Sequence, residues 1–132
     1  MKKFFYILMV LALSVAFVAC GAKTPNNATS NTSNPKITYT AEFPYIPAYS
    51  SYIKADSVSQ PNNLGLITAN YTIKNATNIE VFVNYKNIFK KDGWTLTKEQ
   101  KPNNFVAQKN THQVTVTILP SKNDVKMIIV TK

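Results

Sequence analysis

The second half of the chain alternates apolar and polar residues in successive short segments. These segments cover residues 94–99, 105–109, 113–119 and 125–131. Turn-forming residues separate them at positions 101–104, 110–111 and 120–123. Every second residue of a strand points to the same face, and connections this short join antiparallel neighbours. We therefore predict four consecutive strands of one antiparallel sheet.

A helical period precedes these strands. The apolar residues that fall on one side of this helix are Val81, Phe82, Tyr85, Ile88 and Phe89. Thr77 and Glu80 match a capping box at the N-terminus. Two lysines suit the negative end of the helix dipole, and Gly93 suits the left-handed residue that follows a helix. We predict a helix over Asn78–Lys91 that buries this stripe.

Two further strands are predicted before the helix. Residues 64–74 alternate, and the apolar face holds Ile67, Ala69, Tyr71 and Ile73. Residues 52–58 predict a shorter strand, and a turn follows at 60–63. The predicted fold class is α+β, with a single helix packed on one face of a mainly antiparallel sheet of five to six strands.

Residues 39–53 combine tyrosines with Pro44 and Pro47, and we name this segment the tyrosine arm. Because each proline removes a backbone donor, we expect an extended arm rather than a paired strand. Tyr45, Tyr49 and Tyr52 are the candidate interaction surface for a protein or a sugar. The alternative is that these rings cover an open sheet edge or the face without the helix.

The N-terminus has the features of a secretory signal. Lys2 and Lys3 are followed by residues 4–19, which are apolar apart from Ser14, and this run is short for a membrane span. The ending at residues 17–21 resembles a bacterial lipobox, although Phe17 stands where leucine is more common. We predict a lipoprotein signal peptide over residues 1–19 and a diacylglycerol on Cys20, which with palmitate-type acylation would make a lasting membrane anchor.

Residues 20–36 contain no large apolar side chain and are predicted to be a disordered tether behind the lipidated cysteine. Residues 37–132 have a globular composition and are predicted to form a single α+β domain. The chain carries 15 lysine or arginine residues, all of them lysine, against six acids, for a net charge of +9. This charge favours anionic partners, although dispersed lysines also occur simply as solvated surface residues.

Residues with catalytic potential are few. A single cysteine excludes a disulfide framework, and there is one histidine, His112, which we place in a solvated turn. No nucleophile elbow, paired carboxylates, metal-ligand spacing or phosphate loop is present. We predict no catalytic residue, no metal and no cofactor. A hydrolase would require His112 or two distant carboxylates to converge in a cleft.

The pattern Val81, Tyr85, Phe89 and Gly93-Trp94, following a strand, resembles a small domain of uncharacterised bacterial lipoproteins and secreted proteins. Residues 44–49 are similar to a proline-tyrosine segment that precedes that domain, although the glycine expected after the second tyrosine is absent. The resemblance implies an α+β fold and no known activity. The residues of the pattern also have structural explanations, and we expect Tyr85 to bury its ring and keep its hydroxyl in water.

These observations predict a lipid-anchored protein of the cell membrane or outer membrane, with its domain outside the cytoplasm. We expect a non-enzymatic interaction or accessory module in the bacterial cell envelope. The alternative is an inhibitor or regulator of an envelope hydrolase. The expected partners are the membrane, through Cys20, and an envelope protein or an anionic wall polymer; nucleic acid is not expected.

Overall fold

A computed structural model describes residues 36–132. The predicted signal peptide, Cys20 and the predicted tether up to residue 35 lie outside the described residues. The elements of the described part are β1 (Ser57–Val58), β2 (Ile67–Ile73), α1 (Asn78–Lys91), β3 (Thr95–Gln100), β4 (Asn104–Lys109), β5 (His112–Ser121) and β6 (Asp124–Thr131). None of the helices in residues 36–132 is long and apolar enough to span a membrane.

The six strands form one sheet in the order β1-β2-β6-β5-β4-β3, and every neighbouring pair is antiparallel. Strands β3 to β6 follow one another as a meander because their connections are short. Strand β2 then pairs with β6, where Ala69 lies opposite Ile129 and Tyr71 lies opposite Met127. The predicted α+β fold, with one helix and an antiparallel sheet, is confirmed.

Helix α1 has the predicted bounds, and local capping explains both ends. The Thr77 hydroxyl accepts from the Glu80 backbone N–H at 3.3 Å. At the other end Gly93 has φ of +82°, and the Trp94 N–H donates to the Phe89 carbonyl oxygen at 3.0 Å. The Gly93 N–H also donates to the Lys90 oxygen, completing a Schellman motif. The sequence therefore encodes the start and the end of this helix locally.

The core lies between one face of the sheet and a layer made of α1 and the tyrosine arm. Helix α1 packs over β3, β4 and β5. The helical side chains that are fully buried are Val81, Phe82, Tyr85 and Phe89. The sheet contributes buried residues such as Phe105, Val116, Ile118, Met127 and Ile129. Ile88 of the predicted stripe is only partly buried, since it lies at the edge of the helix that faces the arm.

The sequence predicted an extended tyrosine arm, but the arm folds back on itself. Its Thr40 N–H donates to the Ile46 carbonyl oxygen at 2.9 Å, and the Ala48 N–H donates to the Thr38 oxygen at 2.8 Å. This loop buries Phe43 and Ile46 in the core. The burial of these two side chains holds the arm in the helical layer.

Several predicted boundaries differ from the observed ones, among them the start of β2, which lies at Ile67 and not at residue 64. Only Ser57–Val58 of the predicted strand 52–58 forms a strand with β2. The start of the predicted segment instead lies in a turn at the end of the arm, where the Ile53 N–H donates to the Ser50 carbonyl oxygen at 3.2 Å. The turn predicted at 120–123 is shorter, since β5 continues through Ser121 and β6 begins at Asp124. Lys122 takes the left-handed conformation in this turn, with φ of +55°.

Candidate functional site

The three tyrosines of the predicted interaction surface lie in three different surroundings. The Tyr45 ring stacks on His112 with ring centroids 4.0 Å apart. The Tyr49 ring meets the edge of the Tyr85 ring at 5.8 Å. The Tyr52 side chain is 92% exposed and makes no hydrogen bond to any described residue. The arm therefore presents its tyrosines to two separate clefts and to solvent rather than to one surface.

The Asp92 carboxylate joins three parts of the described fold. It accepts from the Tyr39 hydroxyl at 2.8 Å, from the Trp94 indole Nε1 at 3.0 Å and from the Lys109 Nζ at 2.9 Å. Its side chain is only 7% exposed. The hydrogen bond to this carboxylate raises the pKa of Tyr39. Asp92 thus ties the arm and β4 to the end of α1.

A first cleft, of about 280 Å³, lies beside this cluster. Its lining residues are Tyr39, Pro44, Tyr45, Trp94, Lys109, Asn110 and His112. We predicted that His112 lies in a solvated turn, but it is the first residue of β5 and is half-buried. The turn itself falls on Asn110, with φ of +54°. The rings of Tyr45 and His112, which line this cleft, stack on each other, so each ring has one face covered and not accessible to a ligand.

A second concave surface, which we name the arm–helix groove, runs between α1 and two short segments, residues 36–38 just before the arm and residues 48–50 within it. The helix contributes Asn84, Asn87, Ile88 and Lys91. The opposite wall is formed by Lys36, Ile37, Thr38, Ala48, Tyr49 and Ser50. The four helical residues have the spacing i, i+3, i+4 and i+7, which places them on one side of the helix. The groove consists of two adjoining open clefts, of about 180 Å³ and about 400 Å³.

The polar side chains of the arm–helix groove are not engaged by other described residues. Tyr49, Asn84, Asn87 and Lys91 make no side-chain hydrogen bond within residues 36–132. In the same part of the chain the ion pairs use other lysines, namely Lys74, Lys86 and Lys109. Among residues 36–132, none of those that line the groove is acidic. Its potential is therefore positive, and its donors are available to a ligand.

Most carboxylates elsewhere in the described fold are engaged by neighbouring residues. Glu42 accepts from the Ala55 N–H at 3.3 Å and from the Tyr71 hydroxyl at 3.1 Å. Burial, followed by the Glu42 charge, raises the pKa of Tyr71. Across residues 36–132, no three His, Cys, Asp or Glu side chains lie close enough together to hold a metal ion. We therefore assign these carboxylates a structural role, because their hydrogen bonds stabilise the folded domain.

Reasoning from the sequence did not identify the role of Asp92. Its position directly before Gly93 explains it as a helix-terminal residue. Its partners Tyr39 and Lys109 are 53 and 17 residues away along the chain. No local pattern links such distant positions, so the cluster becomes visible only in the fold.

The chain matches no protein-family model, no curated protein and no solved structure. The resemblance to a lipoprotein domain through Gly93-Trp94 therefore stays a prediction.

Proposed function

We propose that this protein is a lipid-anchored, non-enzymatic interaction module of the bacterial cell envelope, with its folded domain outside the cytoplasm. The charged start, the apolar run up to Ala19 and the following Cys20 support the anchor. A diacylated cysteine would hold the protein at a membrane without a spanning helix. The choice between the cell membrane and the outer membrane depends on the type of cell.

The observation that carries the interaction role is the arm–helix groove. It combines the half-buried ring of Tyr49 with amides and lysines that no described side chain engages. Sites that bind ligands typically join an apolar surface to a few such polar groups. By contrast, Asp92, Lys109 and His112, which could serve catalysis, hold the arm and strands together. Because the potentially reactive side chains stabilise the fold while the polar groups of the groove have no described partner, we favour a binding function over a catalytic one.

The anchor is tested by Cys20→Ser in the native organism or in a bacterial host, with Ser30→Ala in the predicted tether as the matched control. We expect Cys20→Ser to abolish metabolic labelling with an alkyne fatty acid and to release or mis-sort the protein. Ser30→Ala should leave labelling and membrane fractionation unchanged. Unaltered membrane retention of Cys20→Ser without fatty-acid labelling would refute the anchor.

The interaction role is tested by site-specific photo-crosslinking in intact envelopes. A photoreactive residue at Asn87 lies in the groove, and one at Asn123 lies in the β5–β6 turn. We expect a discrete crosslinked species from position 87 and none from position 123. The same weak, heterogeneous adducts from both positions would argue against a specific partner at this surface.

The second candidate function, inhibition of an envelope hydrolase, is favoured by one observation. Tyr52 stands almost fully in solvent, and a protruding tyrosine is suited to insert into a partner's cleft. The test is an envelope-hydrolase assay with added purified protein. Inhibition that is stoichiometric and is lost in Tyr52→Ala would support this function, and undiminished hydrolysis at saturating protein would exclude it.

A further inference from the structure

We infer that the arm–helix groove binds an acidic polysaccharide, that is, a chain of sugars bearing carboxylates. This inference rests on the proposed function, because an envelope domain meets such polymers outside the cytoplasm. It goes further by assigning the ligand to particular side chains. The argument depends on the charge, the donors and the shape of the groove.

The charge of the groove favours an anion. Lys36 lies at one end of the groove and Lys91 lines both of its clefts, and both side chains are exposed. Neither lysine forms an ion pair with another residue in the range 36–132, in contrast to Lys86 on the same helix, which pairs with Glu99 at 2.6 Å. Two exposed lysines with no acid between them attract a ligand whose negative charges repeat along its length.

The donors of the groove favour a sugar over a simple ion. Asn84 and Asn87 each offer an amide with two donors and an acceptor, which matches the hydroxyl groups of a sugar. Thr38 and Ser50 add hydroxyl groups on the opposite wall. An inorganic anion would use the lysines and leave most of these groups without a partner.

Tyr49 supplies the surface on which a sugar ring can pack. It lies in both clefts of the groove, between the helical and the arm residues. Its ring is supported by its edge contact with the fully buried Tyr85, so it is held in place before a ligand binds. The apolar face of a sugar can lie on this ring while its hydroxyl groups reach the asparagines.

The shape of the groove suits a polymer and not an enclosed small molecule. Its two clefts adjoin through Tyr49, Ile88 and Lys91, and both are open to solvent. An open surface of this kind permits a chain to continue beyond the site at both ends. An acidic polysaccharide is therefore the ligand that fits all four features of the groove, namely its lysines, its side-chain amides, the Tyr49 ring and its open shape.

The test is isothermal titration calorimetry of the full chain in a non-ionic detergent. Three probes separate the contributions: hexagalacturonate, which is an acidic glycan; maltohexaose, which is neutral; and a short polyphosphate, which has charge without sugar. We expect hexagalacturonate to bind at least tenfold more tightly than either of the other two probes. We also expect its affinity to fall as salt is raised, since the ionic contacts are exposed.

Matched variants locate the binding. Lys91→Gln and Asn87→Ala should each weaken hexagalacturonate binding by about three- to tenfold, whereas Lys122→Gln and Asn123→Ala, in the β5–β6 turn, should not change it. Tyr49→Ala should lose binding and Tyr49→Phe should retain it. All these variants are first compared with the parent chain by thermal unfolding.

Several results would overturn the inference. They are the absence of hexagalacturonate binding, equal binding of polyphosphate, and an equal effect of Lys91→Gln and Lys122→Gln, which would indicate a diffuse response to net charge. None of these results bears on the fatty-acid labelling of Cys20. Conversely, if the parent chain bound the glycan but was not labelled by the fatty acid, the proposed lipid anchor would be refuted and the assignment of the groove would stand.

Discussion

The hydroxyl of Tyr85 donates a buried hydrogen bond of 2.9 Å to the carbonyl oxygen of Pro47. These residues lie 38 positions apart, one in the helix and one in the tyrosine arm. We expected this hydroxyl to remain in water, but the arm folds over it and excludes solvent. Burial raises the pKa of Tyr85 well above its ordinary value, so the group stays a neutral donor. This bond fixes the arm against the helix on which the groove is built.

Replacing Tyr85 with phenylalanine should lower the free energy of unfolding by about 1–3 kcal/mol, because the buried Pro47 oxygen loses its donor. The arm should loosen first, which faster hydrogen exchange of the Ala48 N–H would report. Tyr49→Phe is the matched control, since no described residue bonds to the Tyr49 hydroxyl, and it should change stability by less than about 0.5 kcal/mol. Equal urea midpoints for both variants would show that the Tyr85 bond contributes nothing.

The packing of the helix on the sheet is tested by Phe89→Ala. The Phe89 ring is fully buried between Trp94 and Phe105, with centroid distances of 5.2 and 5.3 Å. Its removal leaves a cavity and should cost about 3–5 kcal/mol. Lys90→Ala, on the exposed side of the same turn, should cost less than about 0.5 kcal/mol. Chemical denaturation measures both, and similar small effects would contradict the packing described here.

Gly93 provides a test of backbone conformation without a change in packing. A Cβ at this position would meet no atom within 4 Å, but the residue has φ of +82°. Gly93→Ala should therefore destabilise the domain by about 1–2 kcal/mol through the left-handed conformation alone. Gly93→Asn should cost less, because asparagine tolerates this region better. Thermal melts that rank alanine as no worse than asparagine would argue against this explanation.

The ion pair of Asp124 predicts a dependence of stability on pH. Its carboxylate accepts from the Lys74 Nζ at 2.8 Å and from the Asn75 N–H at 3.1 Å, and these bonds, with the Lys74 bond first, hold its pKa below the ordinary value of 3.8. Because the unfolded chain binds this proton more readily, the contribution is present above pH 3.8 and is lost as the pH falls through the lowered pKa.

Asp124→Asn should therefore reduce the loss of stability on acidification below about pH 4, because asparagine keeps the acceptor but does not titrate. Glu80→Gln, an exposed acid outside the ion pairs of the described domain, serves as the control. Urea midpoints measured across the acidic range check the difference. Parallel profiles for the parent chain and Asp124→Asn would contradict the predicted linkage.

The local parts of this fold were predictable because short stretches of sequence encode them. Thr77 and Gly93 set the ends of the helix through their own backbone contacts, and the predicted bounds Asn78–Lys91 are the observed ones. The alternation from Val114 to Ile118 determined which face of β5 is buried, since the period of a strand is two. The arrangement of the meander followed from its short connections.

The candidate site was less predictable. Tyr45, Tyr49 and Tyr52 share a composition and a segment, but their surroundings depend on how the arm folds. The burial of Phe43 and Ile46 turns that segment back, and this exposes Tyr52 while it places Tyr49 beside the helix. The helical asparagines and Lys91 gained significance only when the arm formed the opposite wall of a groove.

Local sequence patterns were enough to predict the helix, the longer strands and their buried faces, because these depend on neighbours within a few residues. The basic charge follows from composition. Three features are visible only in the folded chain: the contacts of Asp92 with Tyr39 and Lys109, the stacking of Tyr45 on His112, and the walls of the arm–helix groove. These contacts join residues far apart in the chain. They exist because the core needs a second layer beside the helix, and the folded arm is the segment that fills it.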